Sequence, residues 1–222
     1  MSMEKVHLRK LLQIFYMPDS KALSKIRQDV LADSKTENGA QSDGGDFHAP
    51  FWSDAKRHAL GELDLREETK LRIASNHRRR RLYPQLMEGF LEWWNERRRW
   101  RNEPFAALPH NVKARLAVPG TPGIVKVENL LGILVGDRSN RLVYPYFSEV
   151  PTLVDEAARL GLWAMEAAFP EYQISDMRVL DVLRGRSFST DDTPLRGNEE
   201  QLFRQKYGRV LEQWHKLKEE IG

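Results

Sequence analysis

The chain of 222 residues contains no cysteine. That excludes disulfides, thiolate nucleophiles and cysteine-ligated zinc. Histidine is present but dispersed: His7, His48, His58, His77, His110 and His215 form no pair at ligand spacing, so no metal site is expected. No apolar run approaches the ~20 residues that a membrane-spanning helix needs. The first residues do not resemble a signal peptide, so a cytoplasmic protein without a membrane partner is expected. A glycine-rich phosphate loop is also lacking, because Gly120-Thr121-Pro122-Gly123 has neither the lysine nor the following helix. No serine stands in a nucleophile elbow, and no cofactor is expected. Net charge is only +3, so any basic character has to be local.

Hydrophobic residues make up 41% and charged residues 30%, the composition of a soluble globular protein that can bury a core. The strongest pattern lies between Ile124 and Ser189. Val125 and Val127 alternate with Lys126 and Glu128, and Leu130–Val135 is apolar on both faces, so Ile124–Val135 reads as one strand. The turn formers Gly136–Asn140 join it in a hairpin to a second strand, Arg141–Phe147. On that strand Leu142, Tyr144 and Tyr146 share one face, and Val143 and Phe147 the other. Pro145 lacks the ladder N–H, which predicts an edge strand or a bulge. Val154, Ala158, Leu162, Met165 and Phe169 then recur at steps of three and four, a helix over about Thr152–Ala168 that Pro170 ends. Its small residues Ala158, Gly161 and Ala168 let it lie close to a sheet. Met177–Leu183 reads as a further covered strand, Arg184-Gly185-Arg186 as a turn, and Phe188 as the point where the sheet resumes.

This order resembles the C-terminal half of RecB-type PD-(D/E)XK nucleases. That family shows a hairpin whose second strand ends in an acidic-x-Lys-Thr-Gly signature, then an amphipathic helix, then a strand. Leu142–Ser148, Ala158–Met165 and Met177–Ser189 match those three parts in pattern, about a third of the chain. The resemblance implies a nuclease-like fold, and its departures imply a dead site. Pro145 stands where the second acid belongs, Phe147 where the lysine belongs, and Gly132 near the place of the first aspartate. Metal-dependent phosphodiester cleavage needs carboxylates converging on Mg²⁺. Glu128, Asp137 and Glu149 are nearby but in other registers. No catalytic residue is therefore assigned.

The rest of the chain frames that unit. Val6, Leu8, Leu11, Leu12, Phe15 and Tyr16 predict a helix, Pro18-Asp19-Ser20 a break, and Leu23, Ile26, Val30 and Leu31 a second helix. Asp33–Asp46 is polar and glycine-bearing, the composition of a flexible linker and a first target for proteases. From Phe47 to Glu103 the chain reads as helical: a short helix that Phe51-Trp52-Ser53-Asp54 starts, another over about Asp64–Leu82, and a third from Pro84 to about Arg101. On the third, Leu86, Phe90, Trp93, Arg97 and Trp100 share a face, so Arg97 is expected to be partly buried and paired. Residues 104–123 are broken by Pro104, Pro109, Pro119, Gly120, Pro122 and Gly123 and read as irregular. Asn198 is expected to cap a long final helix whose seam is Phe203, Tyr207, Val210, Trp214, Leu217 and Ile221. That seam docks on the body of a monomer or, alternatively, forms a homodimer.

The expected architecture is α+β: an N-terminal helical portion, then a small mixed sheet flanked by helices, with a long C-terminal helix. Residues 1–32 are read as N-terminal helices, 33–46 as a linker, and 47–222 as one α+β domain, helical over 47–103 and carrying the sheet over 124–222.

The remaining feature is arginine. Arg78, Arg79, Arg80 and Arg81, with Arg97, Arg98, Arg99 and Arg101, fall in a stretch without lysine and opposed by Glu88, Glu92 and Glu96. Guanidinium forks match phosphate oxygens, and tryptophans among them can stack on bases. Arg78, Arg79, Arg80, Arg81, Arg98 and Arg99 are therefore the candidate nucleic-acid contacts. The leading expectation is a catalytically inactive, nuclease-like protein that binds DNA or RNA without sequence preference. The competing one is a protein–protein interaction or structural module whose arginines are solvated surface and ion pairs. A third is an active metal-dependent nuclease with its site in another register.

Overall fold

The computed structural model describes residues 2–37, 46–99, 105–108, 111–136 and 139–221, with the backbone alone for 35–37 and 97–99. The fold is α+β. In chain order its elements are β1 (Lys5–His7), α1 (Leu8–Phe15), α2 (Asp19–Glu37), α3 (Ala49–Ala59), α4 (Leu65–Ser75) and α5 (Tyr83–Arg99). Four short strands follow: β2 (Phe105–Ala107), β3 (Ala114–Ala117), β4 (Ile124–Val127) and β5 (Leu131–Val135). The chain then forms β6 (Ser139–Tyr146), α6 (Asp155–Ala168), β7 (Met177–Asp181), β8 (Arg186–Phe188) and α7 (Glu199–Ile221).

The main sheet has the order β2-β5-β6-β7-β8. The hairpin pairs β5 with β6 antiparallel, from Leu131 opposite Val143 to Val135 opposite Ser139. Helix α6 carries the chain over to β7, which lies parallel to β6 with Leu142 opposite Met177 and Tyr146 opposite Asp181. The turn through Arg184 and Gly185 returns it antiparallel as β8. The alternation along β6 divides the interior as the sequence indicates. Leu142, Tyr144 and Tyr146 join a core with α1, α6 and α7, whereas Val143 and Phe147 join one with α3 and α5.

Three corrections concern strands. Ile124–Val135 is not one strand: Ile124–Val127 belongs to a second, three-stranded sheet of order β1-β4-β3, parallel to β1 and antiparallel to β3. The chain leaves that sheet at Asn129, whose φ of 65° lies in the left-handed region that asparagine tolerates better than most residues. The Trp52 indole N–H holds this corner by donating to the Asn129 carbonyl. Pro145 sits neither on an edge strand nor at a bulge, because β6 runs between β5 and β7. It is tolerated because β5 begins only opposite Val143, so at Pro145 the strand has a paired neighbour on the β7 side only. Residues 104–123 are not wholly irregular, since β2 pairs with β5 and β3 with β4.

Two helix limits also move. The helix expected over Asp64–Leu82 ends at Ser75, where Asn76 becomes extended and its side chain accepts from the Arg78 N–H at 3.0 Å. Asparagine competes in this way with the helical ladder. At the other site the helix wins: α2 runs to Glu37, into the stretch read as linker. Residues 38–45 of that stretch lie outside the described residues, and so do Trp100 and the Arg97 side chain.

The C-terminal seam is used within the chain. Phe203, Tyr207, Val210, Trp214 and Leu217 are all buried, while Ile221 remains exposed. The Tyr207 hydroxyl donates to the Met3 carbonyl at 2.7 Å, tying the two ends of the chain together. Gly123 makes this possible, because a Cβ there would lie 2.2 Å from the Tyr207 hydroxyl oxygen. Gly161 does the same for α6, where a Cβ would lie 3.0 Å from Val179 of β7. At the start of α7, Glu199 forms a buried ion pair with Arg159 of α6 at 3.2 Å.

Candidate nucleic-acid interface

The first arginine run is a tight corner rather than a helical stripe. Asn76 breaks α4, a single 3-10 turn spans His77–Arg79, and α5 starts at Tyr83. The four side chains consequently diverge. Arg78 and Arg80 project into solvent, and no described residue forms an ion pair with either. Arg79 folds back: its guanidinium lies over the Tyr83 ring at 5.3 Å and donates to the Arg72 carbonyl and the Ser75 hydroxyl. Arg81 is exposed but occupied, with its fork on the Glu149 carboxylate at 2.7 Å. That contact holds the Glu149 carboxyl below the usual carboxylate range. Arg98 and Arg99 end α5, and their side chains lie outside the described residues. Of the six residues singled out from the sequence, then, two are open, two are committed to contacts within the chain, and two have only a described backbone.

The corner is rigid because of what lies beneath it. Arg72 on α4 pairs with Asp54 on α3 through two bonds of 2.7 and 2.9 Å, and Asp54 is buried. Such a fork fixes orientation as well as charge. Tyr83 packs edge-on against Phe47 and Phe51, and its hydroxyl donates to the Phe47 carbonyl. The open arginines therefore stand on a fixed platform and lose little freedom beyond their own side chains on meeting a ligand.

The positions where the nuclease resemblance implies catalysis lie along β5 and β6. Phe147 is embedded: His48 stacks on it at 4.8 Å and 7°, Trp52 meets it edge-on, and the Arg9 guanidinium lies over its ring at 5.7 Å. The Arg9 backbone N–H donates to the Tyr144 hydroxyl at 2.9 Å, and its side chain pairs with Asp46. Burial would raise the Asp46 carboxyl, but hydrogen bonds from His48 and Arg9 outweigh it and hold the carboxyl well below its usual range. His7 beside them is lowered by burial and by the Arg9 charge. Pro145 faces Leu180 in register, and Gly132 faces Leu142.

Two acids near the end of β6, Glu149 and Asp181, are engaged in structure. Asp181, at the end of β7, is buried, which raises its carboxyl, while Arg184 opposes that shift from 3.2 Å. Arg184 also donates to the carbonyls of Ser148 and Glu149 at 2.9 and 2.7 Å. Gln13 bonds the Ser148 hydroxyl and Tyr146 the Pro151 carbonyl, so the segment after β6 is pinned from three directions. Among the described residues no group of three or more histidines, aspartates or glutamates is placed to hold a metal ion. Sequence pattern gives no hint of Arg9 or Asp46 in this cluster, because each is recruited from a distant element, nor that Arg184 reaches the Ser148 and Glu149 carbonyls.

No protein-family model matches the chain, and a search of curated proteins finds no relative. Among the described residues, no helix is long and apolar enough to cross a membrane.

Proposed function

We propose that the protein is a catalytically inactive, nuclease-like nucleic-acid-binding protein that contacts the phosphates of DNA or RNA without sequence preference. The observation that carries this reading is the pair Arg78 and Arg80, solvent-exposed and without an ion pair among the described residues, on a corner held by the Arg72–Asp54 fork. Arg81 joins them when its fork leaves Glu149. The nuclease-like part rests on the order β5, β6, α6, β7, with Pro145 and Phe147 at the positions where that family carries its acid and lysine. The expected setting is the cytoplasm.

The test is fluorescence anisotropy with labelled single- and double-stranded oligonucleotides. Binding at low salt should fall steeply as salt rises, because phosphate contacts release counterions. The double variant R78Q/R80Q should reduce the salt slope by about two, one for each lost contact. Wild-type protein that binds nothing at low salt, or a double variant with unchanged affinity, refutes the reading. With Mg²⁺ or Mn²⁺ no cleavage of plasmid, linear or single-stranded substrates is expected. Cleavage abolished by Glu128→Ala would instead establish an active nuclease with its site in another register.

A second reading, a protein–protein interaction module, is favoured by the internal commitments of Arg79 and Arg81. It predicts no salt-dependent anisotropy change with any oligonucleotide.

A further inference from the structure

Away from the arginine corner, a cleft of about 310 Å³ opens where the last turn of α3 meets the start of β5 and the segment after β2. Its walls are mainly apolar: Leu60, Leu108, Val112, Leu130 and Leu131. That size and lining match those of small-ligand sites, which add a few placed polar groups to an apolar body. Here the charged group is Lys56. Its neighbours on α3 are already partnered: Arg57 with Glu62 at 3.1 Å, and His58 with the Leu63 carbonyl at 3.1 Å. Lys56 is half-buried and has no hydrogen bond or ion pair among the described residues. Burial holds its ammonium below the ordinary lysine value, and no acid among the described residues offsets that shift.

A charge withdrawn from water without a counter-ion raises the free energy of the folded chain. An anion in the cleft would relieve that cost, and apart from the Asn111 amide the lining offers its remainder an apolar surface. We propose that this cleft binds a small organic carboxylate, its anionic head on the Lys56 ammonium and its hydrocarbon body against Leu60, Leu108, Val112 and Leu130. Gly132 shapes the cleft floor, since a Cβ there would lie 2.8 Å from the Leu108 side chain and displace it. The site does not depend on nucleic-acid binding, and neither reading stands or falls with the other.

The probe is hexanoate, with hexanamide as the neutral match, titrated calorimetrically into the full chain. Hexanoate should bind saturably. Lys56→Met, which keeps the stem and removes the charge, should weaken it about tenfold, the equivalent of one charge-assisted hydrogen bond. Hexanamide should bind both proteins equally and more weakly than hexanoate binds the wild type. A second measurement needs no variant: limited acetylation read by mass spectrometry should show Lys56 protected by hexanoate and the exposed Lys70 unprotected. Hexanoate without saturable binding, equal affinity in Lys56→Met, hexanamide binding as tightly as hexanoate, or no protection of Lys56 would each overturn the proposal.

Discussion

The two faces of the main sheet are built by different strategies. One is covered by a single contiguous piece of chain, α3 to α5, whose core is rich in rings: Phe51, Trp52, Tyr83, Phe90, Trp93 and Trp94. The other is assembled from both ends of the chain, with α1 and α2 from the start and α6 and α7 from the second half. The second sheet belongs to this side, through Val125 and Val127. The first face holds a half-exposed pair, Arg72 on the buried Asp54, sets Arg79 over Tyr83, and presents the open arginines to solvent. The second buries its charge pair, Arg159 with Glu199. A locally built layer can carry a surface function on its outer side with little effect on the fold. A layer that joins the chain ends couples every part of the molecule and tolerates less.

This comparison predicts unequal sensitivity. Leu162 of α6 is fully buried on the composite face. Leu162→Asp puts an unpaired charge among the groups that join both chain ends, and an expected loss of at least about 4 kcal/mol leaves the chain unfolded or molten. Circular dichroism and urea denaturation check it. A cooperative transition near the wild-type midpoint would mean that the composite face is not the keystone.

Glu199→Ala comes next. It strands Arg159 in the core, at an expected cost of about 3–5 kcal/mol. Burial alone would raise the Glu199 carboxyl, but the N–H groups of Arg196 and Gly197, and Arg159 itself, outweigh it and lower it. A lowered carboxyl contributes stability that is fully present above the ordinary value of 4.5 and is lost as pH falls through the folded value. Denaturation midpoints measured from pH 7 downward should converge for wild type and Glu199→Gln only in acid. If the two already coincide at neutral pH, the pair contributes nothing.

On the contiguous face the corresponding test is Gly89→Ala. A Cβ at Gly89 would lie 2.2 Å from the Val182 carbonyl oxygen, so α5 has to move off the turn after β7. Overpacking of this kind costs about 1–3 kcal/mol. The two-state transition should survive with a lower midpoint. A loss as large as that of Leu162→Asp would erase the distinction between the faces.

The same division explains what was legible in the sequence. The hairpin partner β6, the crossover α6 and the strand β7 are consecutive, and their periodicities survive because neighbours in sequence are neighbours in the sheet. The burial of Leu86, Phe90 and Trp93 on α5 follows from spacing for the same reason. Strands β1 and β3 were not legible. Each is short and partnered with β4, and in the case of β1 the partner lies more than a hundred residues away. The break at Asn129 was visible only as the polar pair Glu128-Asn129 between apolar runs, and that at Asn76 was hidden in the polar stretch Ser75–Arg81. At the candidate interface, composition located the arginines but not their partners. Glu149, which occupies Arg81, lies 68 residues further along the chain. Lys56 carried no sequence signal, because its lack of a partner among the described residues depends on what the fold brings around it.

The smallest effect on stability is expected at the contact that links the arginine corner to the segment after β6. Arg81 and Glu149 meet through two bonds of 2.7 Å, yet both are solvent-accessible, and water screens such pairs. The segment that Glu149 belongs to is already held by Arg184, Gln13 and Tyr146. Glu149→Gln should therefore leave the denaturation midpoint at neutral pH unchanged. Its effect on binding should be larger: with the competing carboxylate gone, Arg81 is free for a phosphate, and the salt slope of nucleic-acid binding should steepen by about one. A lowered midpoint would make the pair part of the scaffold. An unchanged midpoint with unchanged binding would remove Arg81 from the interface and leave Arg78 and Arg80 to carry it.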